Sequence, residues 1–513
     1  MKTVKPEIWK EELAEFKEKT ELFYAGEMDK GSYKGFSGKY GSYAQRSGKE
    51  SMLRLRMTAG RMTKEKLKFI ADMAEKHQID LIHLTTCQTV QLHNLKPDAV
   101  FDIMEQALDH GIVTMGGGGD FPRNVMMSPL SGTEEEYFDV LPYAEAAADY
   151  LMNFINAEKM PRKLKVGFSN GPANVSHATF RDLGFAARPD GLFDVYSAGG
   201  LGANPKFGVK VAEGINPDQV LYYIRAMWET FRAYGNYENR AKARTRYMQE
   251  TLGQDGYRKA FLEKLEGVYQ SGEDLTIEMN ENGITKTGDG SLAEGQWISQ
   301  QKQPGLYRCH YYPIGGSIKP YKFREIYDII RDMDQVELRL SPDESLYVIN
   351  LTGREAQKVQ KVLSDGARTV FETSVACIGA SICQVGVRDS QKLLQSAVKA
   401  VRDADLPDGV LPQIHISGCP SSCGTHQIGA IGFRGGVKMI DKKPQPAFVL
   451  FYNGCDRQGS EQMGKEIGVM LEEDIPQFLI ELGSTVRDSG MDFAAWVHRM
   501  PEGVERIASS YLR

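Results

Sequence analysis

"SMLRLRMTAGRMTKEKLKFIADMAEKHQIDLIHLTT" (Ser51–Thr86) reads as a strand, a glycine-bearing turn, a lysine-rich amphipathic helix and a second strand. The same order returns in "GLYRCHYYPIGGSIKPYKFREIYDIIRDMDQVELRLSP" (Gly305–Pro342). Each copy runs on into a further strand and helix, "VQLHNLKPDAVFDIMEQALDHGI" (Val90–Ile112) and "LYVINLTGREAQKVQKVLSDGA" (Leu346–Ala367). The chain is therefore internally duplicated, and each βαβ-type copy is about the size of half a ferredoxin-like fold. Neither half buries a sheet face alone, so the two are expected to pair into one domain through one sheet.

The flanking blocks repeat as well. "VGFSNGPANVSHATFRDLGF" (Val166–Phe185) aligns without gaps on "HISGCPSSCGTHQIGAIGF" (His415–Phe433), with Pro172 on Pro420 and Gly184-Phe185 on Gly432-Phe433. Cys419 and Cys423 of the second copy face Gly171 and Val175 of the first. A purely structural pair would recur in both copies, so the thiols point to a function of one. "SGEDLTIEMNENGITKTGDGSLAEGQW" (Ser271–Trp297) is polar and glycine-rich, as a linker would be. The expected fold class is α+β (α/β). Its parts are an N-terminal helical extension (1–45), a ferredoxin-like half-domain (46–112), an α/β domain (113–270), a linker (271–297), a second half-domain (298–368) and a second α/β domain (369–513).

Bulk properties narrow the function. The 513 residues are 41% hydrophobic and 25% charged, with a net charge of −6. That balance excludes a generally basic, nucleic-acid-coating protein. The first residues, "MKTVKPEIWKEELAEFKEK", suit an amphipathic helix rather than a secretory signal, and no stretch approaches a membrane span. The expectation is a cytoplasmic protein, with nothing that demands more than a monomer.

Of seven cysteines, four fall in two glycine- and serine-rich stretches. "ACIGASICQVG" carries Cys377 and Cys383, and "SGCPSSCG" carries Cys419 and Cys423. Four thiolates can hold zinc or an iron–sulfur cluster. The five-residue spacing of the first pair is wider than a zinc knuckle, and no C-x-x-C redox pair is present. Four unrelated buried cysteines are the plainer alternative.

C-x₅-C followed by G-C-P-x-x-C-G resembles the signature of the siroheme-dependent sulfite and nitrite reductases. The duplicated half-domains and "NRAKAR" (Asn239–Arg244) are similar to the same family, so the resemblance covers nearly the whole chain. It implies that Cys377, Cys383, Cys419 and Cys423 hold a [4Fe–4S] cluster and that Cys423 also bridges to the siroheme iron. It further implies that Arg54, Arg123, Lys163 and Lys165 bind the substrate anion. Gln91, His93, Lys242 and Arg244 would contact siroheme.

The residues suit that chemistry. Lys163 and Lys165, two apart on a strand, share one face and could donate charge-assisted hydrogen bonds to an oxyanion, although a solvated strand face has the same spacing. The run "GGGGD" (Gly116–Asp120) lacks a phosphate-loop ending and reads as a flexible approach to Arg123. One position departs from the family. After Thr85-Thr86, where arginine is usual, this chain has Cys87, expected to be a buried, inert thiol, with a redox-sensitive neighbour of the haem as the alternative. Cys309 reads as packed in a strand, and Cys455 is given no role.

Lys-x-Lys resembles the sulfite enzymes, so the expected reaction is six-electron reduction of sulfite, with nitrite reduction as the alternative. No flavin or dinucleotide fingerprint is present, so ferredoxin or a separate flavoprotein is expected as the donor. Two rivals are a cobalamin-pathway monooxygenase that keeps the cluster without siroheme, and a non-catalytic iron–sulfur or zinc scaffold.

Overall fold

A computed structural model describes residues 6–278 and 283–513. Parts of two expectations, the helical extension at 1–5 and the linker at 279–282, lie outside the described residues. The described residues divide into two compact units: those within 6–200, 205–311 and 318–364 form the first, and those within 201–204, 312–317 and 365–513 the second.

The first unit opens with helices α1 (Pro6–Tyr24) and α2 (Lys30–Ser37), the latter capped by Asp29. Then come β1 (Ser42–Ala44), β2 (Ser51–Arg56), β3 (Arg61–Met62), α3 (Lys64–Lys76), β4 (Ile82–Leu84), β5 (Thr89–Leu95) and α4 (Pro97–Asp109). An α/β segment follows, with β6 (Met126–Met127), α5 (Leu141–Met152), β7 (Val166–Ser169), β8 (Leu183–Ala187), β9 (Phe193–Ser197), β10 (Val209–Ile215), α6 (Val220–Tyr234) and α7 (Met248–Gln270). The second half-domain has β11 (Ile298–Gln300), β12 (Leu306–Tyr311), β13 (Ser317–Ile318), α8 (Pro320–Ile330), β14 (Glu337–Leu340), β15 (Leu346–Thr352) and α9 (Gly353–Val362). A capping box between Thr352 and Glu355 starts α9. The described part of the linker has no helix or strand and is pinned along the first unit, where Leu275 is buried and Thr285 and Lys286 donate to Gln335.

The half-domains do pair, but not through one sheet. Each closes its own five-stranded sheet, in the orders β1-β2-β5-β4-β13 and β11-β12-β15-β14-β3. β3 of the first half lies antiparallel to β14 of the second, with Arg61 opposite Arg339 and Met62 opposite Leu338. The equivalent strand of the second half, reaching Ile318, closes the first sheet in return. One core spans both halves, from Leu67 and Ile70 on α3 to Phe323 and Ile326 on α8. Exchange of short edge strands shields an edge of each sheet, and shared helix packing buries the faces, which a single sheet was expected to do.

The two α/β segments are copies in detail. In the first, β6, β7 and β8 run parallel and β9 and β10 antiparallel. The second unit repeats this with β16 (Val375–Ala376), α10 (Ser390–Asp403), β17 (Ile414–Ser417), β18 (Ile431–Ile440), β19 (Lys443–Tyr452), β20 (Lys465–Leu471) and α11 (Ile475–Asp488). Val166 pairs with Leu183, and Ile414 with Ile431, so the sequence repeat is also a register repeat. A Cβ on Gly184 would lie 1.7 Å from the Ala178 carbonyl oxygen, and one on Gly432 would lie 1.9 Å from that of His426. Glycine is required at both points by the same close approach of backbone to backbone. Gly432→Ala is expected to destabilise the second unit by about 1–3 kcal/mol through overpacking, read as a lower urea midpoint at unchanged slope. A midpoint equal to wild type would refute the close approach.

Among the described residues no helix is long and apolar enough to cross a membrane.

Candidate functional site

The second unit carries the four thiols of the signature. β16 and β17 are adjacent and parallel, with Val375 opposite His415 and Ala376 opposite Ile416. The loops that follow them therefore leave the same end of the sheet, one bearing Cys377 and Cys383, the other Cys419 and Cys423. The loops are tied at their start, where the Gly418 N–H donates to Cys377 Sγ at 3.2 Å. Ser390, the first residue of α10, lies 3.1 Å from the same sulfur, so the positive end of the helix favours a thiolate there.

The cysteine-free copy explains what is scaffold and what is chemistry. There the Asn170 N–H donates to Ser128 Oγ at 3.1 Å, the counterpart of Gly418 and Cys377. Asn174 and His177 adopt the left-handed conformation (φ of 50° and 59°), as do Ser422 and Thr425 in the second copy (55° and 54°). The loop shape belongs to the scaffold, and the thiols are what the second copy adds.

These donors fit a [4Fe–4S] cluster. Among the described residues no three His, Cys, Asp or Glu side chains converge as a single-ion site, whereas a four-iron cluster takes one thiolate at each corner. Burial, then the nearby Cys423, pushes the Cys377 thiol up to about 12; iron binding would displace that proton. Two histidines flank the second loop, and both ring nitrogens of His426 are buried without a hydrogen-bond partner. His415 Nδ1 is 2.8 Å from Thr425 Oγ1, and His426 is buried against Phe451 with a pKa lowered by desolvation to about 3.

The first unit holds the cationic cluster. Arg123 donates to the carbonyls of Gly117 at 2.6 Å and Gly119 at 2.9 Å, and Arg54 also donates to Gly117. Arg56 is buried and donates to Met115, Pro122 and Arg123 carbonyls. The glycine run is thus not a flexible approach. A Cβ on Gly118 would lie 2.5 Å from Tyr43 Oη and 2.6 Å from Gly38 O, so the loop is packed shut and its carbonyls orient the arginines. Burial, and to a lesser degree Arg54, holds Arg123 low, at about 10.

Lys165 Nζ lies 3.2 Å from Cys87 Sγ. Burial pushes this thiol up, but Lys165, Arg181 and Arg54 outweigh it and bring it down to about 6. Cys87 is therefore mostly thiolate at neutral pH, not the inert thiol expected from sequence. Lys163 and Lys165 flank buried Leu164, which forms an isolated bridge with Pro122 just ahead of β7 rather than lying in a strand. With its amide turned to suit both neighbours, Gln91 accepts from Arg54 Nε at 3.2 Å and donates to His93 Nε2 at 3.3 Å. His93 is buried, bonded to Gln45 and held by desolvation at about 3. Both thus buttress Arg54. Lys242 is exposed on a short turn.

Sequence reasoning missed the organiser of this cluster, Asp182. Its buried carboxylate accepts from the Lys165 N–H at 2.8 Å, from Arg244 at 3.0 Å and from Thr245. It also missed Arg181 and Arg246. The signal available was charge inside the apolar run "FRDLGF". Arg246 is buried, with Nε and Nη1 lacking partners, and a Cβ on Gly200 would lie 3.6 Å from its Nη1. Two guanidinium groups beside a glycine, Arg246 with Nε and Nη1 unpaired and Arg244 with Nε unpaired while its Nη2 holds Asp182, suit a carboxylate-rich tetrapyrrole such as siroheme.

A duplicated α+β scaffold with a buried cationic cluster in one unit and a four-thiol loop pair in the other is that of an oxidoreductase handling small anions. The family description "Nitrite and sulphite reductase 4Fe-4S domain" matches residues 118–268, and "Nitrite/Sulfite reductase ferredoxin-like half domain" matches residues 43–110. A sulfite reductase [NADPH] hemoprotein beta-component of Geobacillus kaustophilus is 24% identical over 435 residues, 75% of this chain and 74% of that one. Sulfite reductase [ferredoxin] 1 of Mycolicibacterium paratuberculosis is 24% identical over 484 residues, 88% and 82% of the two chains. The Mycobacterium tuberculosis NirA structure superposes with a TM-score of 0.75 at 22% identity, covering 94% and 93% of the two chains, and so has the same fold. By these matches the chain is similar to the nitrite and sulfite reductases, a family whose cofactors are siroheme and a [4Fe–4S] cluster.

Proposed function

We propose that the protein reduces sulfite to sulfide by six electrons, using siroheme and a [4Fe–4S] cluster, with Cys423 among the residues that would hold them and ferredoxin as the external donor. The observation that carries this reading is the cluster of Arg54, Arg123, Lys165 and Arg181 around one turn, on a chain that also has the four-cysteine signature. Cys377, Cys383, Cys419 and Cys423 would hold the cluster; Arg244 and Arg246 suit siroheme carboxylates, with Lys242 within reach of solvent.

Siroheme and the cluster, when bound, would supply the one-electron redox chemistry that the reduction needs. The chain's own residues do the rest. Arg54 and Arg123, fixed by the glycine-loop carbonyls, offer a preorganised positive field that costs no reorientation as negative charge develops. Burial, offset in part by Cys87, lowers the Lys165 pKa, so its ammonium gives up a proton more readily to a departing oxygen. Lys163, two residues away, would act on the same anion.

One observation favours nitrite as a second reading. Cys87 engages Lys165 as an anion would, leaving less positive charge for a dianion such as sulfite. The relatives bear both NADPH and ferredoxin in their names, and a separate flavoprotein donor is the corresponding second reading for the electron source.

The test is a visible spectrum of the purified protein and parallel turnover with sulfite and nitrite. Siroheme bands are expected, and Lys165→Asn should lower kcat/KM for sulfite about tenfold more than for nitrite, a difference near 1.4 kcal/mol. A protein without tetrapyrrole absorption from a siroheme-competent host sinks the reading. An unchanged ratio removes Lys165 as the discriminator.

A further inference from the structure

We propose that Cys87 is the charge-selecting residue of the anion pocket, a built-in counter-anion on Lys165 that disfavours dianions more than monoanions. The inference rests on reading the Arg54–Arg123–Lys165 cluster as the substrate's site.

The position of the thiol is built, not incidental. It sits on the tight turn between β4 and β5, where the Asn124 side chain donates to the carbonyls of Cys87 and Gln88, each at 3.1 Å. Gln88, with a φ of 53°, anchors the turn by donating to Met127 O at 3.0 Å and Leu340 O at 2.7 Å and accepting from the Met127 N–H at 2.9 Å. Thr85 Oγ1 accepts from the Cys87 N–H at 3.3 Å. These bonds fix the backbone that carries the thiol beside Lys165.

The charged groups that act most strongly on Cys87 are cations: Lys165 just ahead of β7, Arg181 just ahead of β8 and Arg54 on β2, with Arg123 at the glycine loop also acting on it. Around them, His177 bonds Arg181, Asp182 and Arg244 form a pair behind Lys165, and Tyr43 acts on Arg123. Where an arginine would add a positive charge to this field, the thiolate subtracts one. Coulomb energy scales with ligand charge, so the penalty for a dianion is twice that for a monoanion. Nitrite is a monoanion at neutral pH, whereas sulfite is partly the dianion. The sign with pH follows. Above the thiol's depressed pKa the thiolate is present and competes for Lys165; as pH falls through about 6 it is protonated, and anions bind better. By reciprocity an anion bound at Lys165 must raise the pKa of Cys87.

The experiment uses the holoenzyme, its siroheme spectrum recorded for every variant. The rate of iodoacetamide modification of Cys87, read by peptide mass spectrometry, is followed across pH with and without inorganic sulfate, whose dianionic charge is constant over the neutral range. A midpoint near 6 that sulfate moves upward supports the proposal. A midpoint near the ordinary thiol value of about 8.5 that sulfate does not move overturns it. Steady-state kinetics supply the second arm. If Cys87→Ser lowers the nitrite KM about threefold, the Ki of sulfate as a competitive inhibitor should fall about ninefold, the square. Cys87→Arg should extend both changes in the same direction. Equal shifts for the two anions, or a change in kcat alone, contradict charge selection. Holoenzyme that reduces neither sulfite nor nitrite would defeat the proposed function, while the modification profile would still decide the role of Cys87.

Discussion

Cys423→Ala is expected to abolish anion reduction and the coupled siroheme–cluster spectrum while the polypeptide still folds. The thiol is exposed and contributes nothing to the core of the second unit. Its loop keeps the same left-handed residues as the cysteine-free copy, in which Val175 stands at the equivalent position. The loop therefore does not need the thiol to take its shape. What the substitution removes is the proposed ligand to the cluster and to the tetrapyrrole iron, so the loss should appear in the spectrum and in turnover rather than in the far-ultraviolet circular dichroism. Cys309→Ser is the matched control. Cys309 is buried in β12, donates to Ala356 O at 3.4 Å and has its pKa pushed up to about 12 by burial alone. Serine there should cost about 1–3 kcal/mol of stability, because a hydroxyl is more expensive to bury than a thiol, yet leave the spectrum of the folded fraction unchanged. If Cys423→Ala retains turnover, or if both variants lose the spectrum equally, the assignment of Cys423 is wrong.

The fold was legible because duplication writes each element twice. The pattern at Ser51–Thr86 could be checked against Gly305–Pro342, and Val166–Phe185 against His415–Phe433; an isolated strand-helix-strand pattern has no such control. The exchanged edge strands were not legible. β3 and β13 are two residues each, too short for any periodicity, and their partners are set by packing between the halves. The same limit applied to the site. Lys163-Leu164-Lys165 announces two ammonium groups on one face, but not that Lys165 meets a residue 78 positions away. The cations also look alike in sequence. Only the folded chain separates Arg56, saturated by three carbonyls, from Arg246, buried with unsatisfied nitrogens. Cys87 looked inert because a lone cysteine is usually packing. Its chemistry comes from neighbours supplied by four distant segments.

Asp182→Ala is expected to cost about 3–5 kcal/mol, the effect of deleting one partner from a buried ion pair. The carboxylate is almost fully buried, at 1% exposure, and joins Arg244, Thr245 and the backbone of Lys165. Without it Arg244 remains beside Arg246 and Lys165 with no compensating charge, and that repulsion, more than the lost hydrogen bonds, drives the loss. Burial alone would raise the Asp182 pKa; Arg244 and Thr245 outweigh it and hold it below the usual carboxylate range. Because the folded pKa is depressed, its stabilisation is complete above the unfolded value of about 3.9 and disappears as pH falls through the lower folded value. Asp182→Asn keeps the shape and loses the charge. Its deficit against wild type should therefore be constant near neutrality and shrink only in acid. Sulfate should partly restore Asp182→Ala by occupying the orphaned cations, since a ligand that binds only the folded state stabilises it by mass action, and should help wild type less. Urea denaturation at several pH values, with and without sulfate, reads all three effects. A loss under about 1 kcal/mol at neutral pH, or a deficit of Asp182→Asn that is the same in acid, would show that Asp182 is not what holds the cationic cluster together.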